Sequence, residues 1–192
     1  MCVARGAVIS AESARGRFPL VSSERFMAKL SMRDEGLCNC GALRQAARYL
    51  TAAYDQLLAD SGLRTTQFSI LFKLAARGTQ AITELSALMA MDRTTVGRNL
   101  KLLERDGLVR YRPGPDGRER LVELTATGRK KLEAAYPLWQ QAQQQFESRF
   151  GAAHADELRN TLRSVLRTGL DPWGHERTLP DKAVTSDLRI RR

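Results

Sequence analysis

The stretch MDRTTVGRNLKLLERDGLV, residues 91–109, followed closely by PDGRERLVELTATG, residues 115–128, decides how this chain is read. On a helical wheel of about 100° per residue, Val96, Leu100 and Leu103 fall within about 60° of one another and form an apolar stripe. Thr94, Arg98, Lys101 and Arg105 fall on the opposite side, with Thr95 on the flank. Asp92 has the chemistry of an N-cap, and Gly107 that of a helix stop. Leu108 to Arg112 then alternates as a strand, Pro113-Gly114-Pro115-Asp116-Gly117 is turn chemistry, and Leu121 to Leu124 alternates again. A helix with one buried stripe and one basic, hydroxyl-bearing face therefore leads into a basic β-hairpin.

Working upstream, a short helix from Ile82 to Met89 and a tight turn precede Asp92, and a helix built on Phe68, Leu71, Phe72 and Ala75 ends at Gly78. Leu43, Ala46, Ala47, Leu50, Ala53, Tyr54 and Leu57 recur at helical steps, predicting a first helix over about 40–60 that Ser61-Gly62 ends. Downstream, two long helices are predicted over about 126–149 and 153–169, with Pro137 kinking the first. Residues 1–34 and the tail 171–192 have no periodic apolar face and are expected to be disordered. The expected fold is mainly α: a winged helix-turn-helix with a two-stranded β-wing and a helical region at both ends. Its domain is expected over 35–170, with a helix-turn-helix and hairpin lobe at about 62–124 and flanking helices at about 38–60 and 126–169.

Composition limits the function classes. The 192 residues carry 31 basic against 21 acidic groups, a net charge of +10, which favours a polyanionic partner through counterion release. No apolar run reaches the roughly 18 residues of a membrane span, and the first residues lack the apolar core of a signal peptide, so a cytoplasmic location is expected. Cys2, Cys38 and Cys40 lie far in sequence from His154 and His175, in no zinc-binding spacing, so no metal and no cofactor are expected. Phosphate-binding glycine loops and nucleophile elbows are absent from the sequence, and the chain is not read as an enzyme.

The helix opening at Asp92 suits a major groove. Threonine can bond bases or touch thymine methyls, arginine can read guanine, and lysine or arginine further along can hold phosphates. Expected DNA contacts are Arg93, Thr94, Thr95, Arg98, Asn99, Lys101 and Arg105, with Arg112, Asp116, Arg118 and Arg120 on the wing. An isolated amphipathic helix with a charged solvated face would read the same way; the short helix before it and the basic hairpin after it favour DNA. An arginine at the wing tip can enter a narrow minor groove, or Arg118 can brace the turn by pairing with Asp116 or Glu119.

These residues carry a resemblance to the MarR family of bacterial regulators, in 91–109 and in 115–128, where Asp116-x-Arg118 is followed by Leu124-Thr125 and Gly128. The resemblance covers about 38–168. It implies a homodimer interlocked by the first and last two helices, with paired recognition helices on a pseudo-palindromic operator of double-stranded DNA. Gly97 departs from many relatives by its small size.

Two kinds of effector are open: an oxidant, or a small aromatic or anionic ligand. Cys38-Asn39-Cys40 lies at a helix start, where thiolates are favoured and peroxides attack them. Cys40 falls where the family's organic-hydroperoxide-sensing branch, which this part of the chain resembles more weakly, keeps its reactive cysteine. Tyr54 matches one supporting tyrosine of that branch, while Arg44 stands where the branch has another. Arg44, Arg48 and Tyr49 can alternatively line a ligand pocket or a plain interface. The competing class is a winged-helix protein-interaction or RNA-binding module without operator specificity.

Overall fold

The computed structural model describes residues 36–115 and 119–170. The segments 1–34 and 171–192, expected to be disordered, lie outside the described residues, as do Asp116 and Arg118 of the wing. The elements are α1 (Asn39–Leu57), a 3-10 turn (Ala59–Ser61), α2 (Thr65–Arg77), β1 (Gln80–Ala81), α3 (Ile82–Leu88), α4 (Arg93–Arg105), β2 (Val109–Pro113), β3 (Arg120–Leu124), α5 (Ala126–Phe150) and α6 (Ala152–Val165). The chain divides into two units between Gln45 and Ala46. In the first unit, residues 36–45 are exposed throughout.

In the second unit, local chemistry sets the helix ends. α1 closes at Leu57 rather than near residue 60, because the next residues tighten into the 3-10 turn and Gly62 adopts φ 68°, a conformation that suits glycine. Asp55 then caps α2 from outside it: the Thr65 amide and hydroxyl both donate to its Oδ1 at 2.7 Å, and Arg64 reaches Oδ2 at 3.3 Å. Burial raises the Asp55 pKa, but these bonds outweigh it and hold the carboxyl below its ordinary value. α6 ends at Val165, earlier than its composition predicts. α5 runs as one helix through Pro137, where the proline ring leaves the Glu133 carbonyl without its usual helical donor.

One core joins these elements. Leu58, Phe68, Ile70, Leu71 and Leu74 from the α1–α2 region meet Leu85 of α3, the α4 stripe Val96, Leu100 and Leu103, and Val109 and Val122 of the sheet. Trp139 of α5 stacks on Phe68, Phe72 and Tyr136 at 5.9, 6.2 and 5.4 Å, fastening α5 to α2. The two-stranded wing is present as the β2–β3 hairpin, and β1 adds a third strand, giving an antiparallel sheet of order β1-β3-β2. Gln80 and Ala81 pair with Val122 and Leu121, and a strand of two residues leaves no alternation for the sequence to betray.

Candidate nucleic-acid interface

α4 is placed by its cap and its stripe. Asp92 accepts the Thr95 amide at 2.8 Å and the Thr95 hydroxyl at 2.6 Å, closing the first turn. The side-chain bond from Thr95, then its backbone bond, hold the Asp92 carboxyl below its ordinary value. Val96, Leu100 and Leu103 are fully buried, so the rotation of the helix is fixed. Thr94, Arg98, Lys101 and Arg105 are exposed together on the outer face, and Arg93 is exposed at the first position of the helix. Arg105 lies beside Asp106 at 3.0 Å.

Two of the expected contacts sit differently. The Thr95 hydroxyl gives its hydrogen to Asp92, leaving only acceptor capacity, and the Asn99 amide donates to the Thr95 carbonyl at 2.9 Å. Both side chains are half-buried. Side chain-to-backbone bonds of this kind compete for short polar residues and do not show on a wheel.

The wing has its own wiring. Arg110 and Glu123 are register partners across the β2–β3 pair, and their side chains form an ion pair. Arg112 reaches the other Glu123 oxygen at 2.9 Å. Arg112, expected to hold DNA, is thus bound to a carboxylate that the sequence reading did not single out. Arg120 lies over the Tyr111 ring, 4.0 Å from its centre. Burial raises the Tyr111 pKa, the Glu104 charge adds to that, and Arg120 opposes it.

A knot ties the end of α4 to α5. Thr125 caps α5 by accepting the Gly128 amide at 2.9 Å, while its hydroxyl lies 2.7 Å from the Gly107 carbonyl and 3.1 Å from that of Leu108. The Thr125 amide also donates to Leu108 at 3.1 Å. Gly128 is packed so tightly that a Cβ there would stand 2.0 Å from the Leu108 oxygen.

The expected sensing residues fall in separate places. In the first unit, Cys38, Cys40 and Arg44 are exposed, and the Gly41 amide points at the Cys38 sulfur at 3.2 Å. In the second, Arg48 and Tyr49 are exposed, while the Tyr54 hydroxyl donates to Gln143 of α5 at 2.5 Å. Burial, then the Glu147 charge, raise the Tyr54 pKa, and Arg159 lowers it. A pocket of about 380 Å³ opens between α2 and α5, lined by Phe72, Ala75, Ala76, Leu132, Glu133 and Tyr136. Its signal in the sequence is the aromatic spacing on α2 and α5, which also serves as core. Among the described residues, no group of three or more His, Cys, Asp or Glu side chains is placed to hold a metal, and no helix is long and apolar enough to cross a membrane.

Comparison with known proteins gives concordant matches. A family model described as "MarR family" matches residues 61–119. An uncharacterised HTH-type transcriptional regulator of Bacillus subtilis, YwoH, is 35% identical over 91 residues, which span 47% of this chain and 66% of that one. The HTH-type transcriptional repressor NicR of Pseudomonas putida is 33% identical over 130 residues, 67% of this chain and 80% of the repressor. Among solved structures, the M. tuberculosis transcriptional regulator MosR in complex with DNA is 38% identical, with a TM-score of 0.61, covering 69% of this chain and 99% of that chain.

Proposed function

The chain belongs to the MarR family of helix-turn-helix transcription regulators, and on that premise we propose that it is a homodimeric repressor released from a pseudo-palindromic DNA operator by an effector. The observation that carries this reading is the outer face of α4, where Thr94, Arg98, Lys101 and Arg105 are exposed together opposite a fully buried stripe. Thr94 and Arg98 read base edges in the major groove; Lys101 and Arg105 hold phosphates. Arg118 and Arg120 of the wing grip the neighbouring minor groove, with Arg120 shaped by its stacking on Tyr111. An RNA-reading module would present stacking aromatics on its exposed face, and α4 carries none.

A second copy of the chain is the natural cover for α1, in which no residue is buried, and for Leu162, Val165 and Leu166 of the C-terminal region, each 38–49% exposed. A symmetric dimer sets two recognition helices about one DNA turn apart, which is why the operator is pseudo-palindromic.

For the effector, the α2–α5 cavity supports an apolar or aromatic molecule. Among the described residues, its only charged lining group is Glu133, which disfavours an anionic ligand and departs from the anionic alternative raised by Arg44, Arg48 and Tyr49. The oxidant reading rests on the exposed Cys38 and Cys40, and the Gly41 contact makes Cys38 as strong a candidate as Cys40.

The test is fluorescence anisotropy on the DNA upstream of the protein's own gene. Arg98→Ala and Arg118→Ala each abolish binding while the dimer persists; normal binding by both variants contradicts the site. Repeating the titration with an organic hydroperoxide, and with Cys38→Ser and Cys40→Ser, separates the effectors. Release that requires either thiol identifies a redox switch, and binding that survives oxidation leaves the cavity as the sensing site.

A further inference from the structure

Gly97 stands in the middle of α4, in regular helical backbone without positive φ. Glycine there weakens a helix relative to alanine, because it frees the unfolded chain and contributes no side chain. Two neighbouring glycines show what an internal reason looks like. Gly107 follows α4 at φ 69°, and Gly128 would drive a Cβ to 2.0 Å from the Leu108 oxygen. Gly97 has neither reason: a Cβ built on it meets nothing within 4 Å. Among the described residues, nothing asks for a glycine at this position.

Its surroundings point outward. On the helix, Gly97 has Arg93 and Thr94 one turn before it and Lys101 one turn after it, with Arg98 adjacent, and all four are exposed. Glu104, also exposed, closes the far end one turn beyond Lys101. Bare backbone therefore forms the floor of a notch whose near walls are side chains that donate hydrogen bonds. Gly97 itself is half-buried, and a surface approaching this flank of the helix meets no side chain at that position.

Resting on the reading that α4 enters the major groove, we propose that Gly97 is the point of closest approach to the duplex and sets the depth at which the helix seats. With no side chain there, the wall of the groove packs against helix backbone, and Thr94 and Arg98 reach base edges. A Cβ at that contact holds the helix away. Short, directional bonds from Thr94 and Arg98 are lost first, whereas the long Lys101 side chain follows a phosphate outward. Gly97 is a specificity-determining position, and its effect falls on discrimination more than on bulk attraction.

The experiment compares the full-length protein with Gly97→Ala on two duplexes, one selected by the wild-type protein from a random pool and one of scrambled sequence, alongside thermal unfolding. The expected result is a raised melting temperature, together with a loss of affinity of about tenfold or more for the selected duplex and little change on the scrambled one. A variant that melts higher and binds the selected duplex as well as wild type overturns the inference. An equal loss on both duplexes overturns the role in discrimination. A wild-type protein that shows no preference between the duplexes overturns the DNA-reading proposal itself and this inference with it.

Discussion

Replacing Gly128 with alanine sets two ordinary effects against each other. Alanine in a helix is worth up to about 1 kcal/mol over glycine, and less in a first turn, so propensity alone predicts a small gain. The contact predicts a loss. The new Cβ falls 2.0 Å from the Leu108 oxygen and 2.8 Å from Leu124 Cδ1, distances that require backbone movement of more than about 1 Å to reach ordinary packing. Overpacking of this kind costs about 1–3 kcal/mol. The shift also pulls the Thr125 amide and hydroxyl away from the Gly107 and Leu108 carbonyls, at about 1 kcal/mol for each bond. After subtracting the alanine gain, a net destabilisation of about 2–4 kcal/mol remains. Urea unfolding of Gly128→Ala should therefore show a lower midpoint with an unchanged slope. A midpoint equal to or above wild type would refute the packing argument and return the position to simple helix propensity.

Further outcomes follow from the same geometry. Ala90, in the turn before α4, holds φ 48°, so Ala90→Gly should raise stability by up to about 1 kcal/mol, read as an upward shift in Tm; a lower Tm contradicts the strain. Because the Asp92 carboxyl is held below its ordinary 3.8, its cap contribution is present above that pH and lost as pH falls through the lower folded value. Wild type should accordingly exceed Asp92→Ala in stability at neutral pH, with the gap closing below pH 3.8; a gap that is constant across an acid titration argues against the cap. Glu123→Gln removes the carboxylate shared by Arg110 and Arg112 and should steepen the salt dependence of duplex binding, measured by anisotropy at several salt concentrations. An unchanged slope means that these arginines act only within the wing.

The fold was legible where periodicity was long. The α4 stripe of Val96, Leu100 and Leu103 reads unambiguously because each member returns to the same side after a turn, and all three are fully buried. β1 was not legible, since Gln80–Ala81 becomes a strand only by pairing with β3. At the site, the wheel placed Thr94, Arg98, Lys101 and Arg105 on the outer face, where they are exposed. It did not reveal that Thr95 and Asn99 turn toward their own backbone and cap, because such bonds depend on rotamer rather than on spacing. The role of Glu123 depended on strand register, which a proline- and glycine-rich turn leaves open in sequence and which the Arg110–Glu123 pairing settles. Gly97 was visible as an anomaly, but only the empty space around its Cβ position removes an internal explanation.

The knot at Thr125 joins the end of α4 to the start of α5 through the Gly107 and Leu108 carbonyls. In the proposed dimer, an effector acts by favouring one separation of the two reading helices over another, and only differential affinity for those states can shift the balance.

The central claim, that the α4 face and the wing grip duplex DNA electrostatically and read its sequence, is tested most directly by anisotropy titration of an upstream duplex across a range of salt concentrations. A dimer making about eight phosphate contacts should give a slope of log K against log salt near −7, at roughly −0.9 per phosphate, with tighter binding than to scrambled DNA. A slope close to zero, or equal affinity for both sequences, would contradict the account.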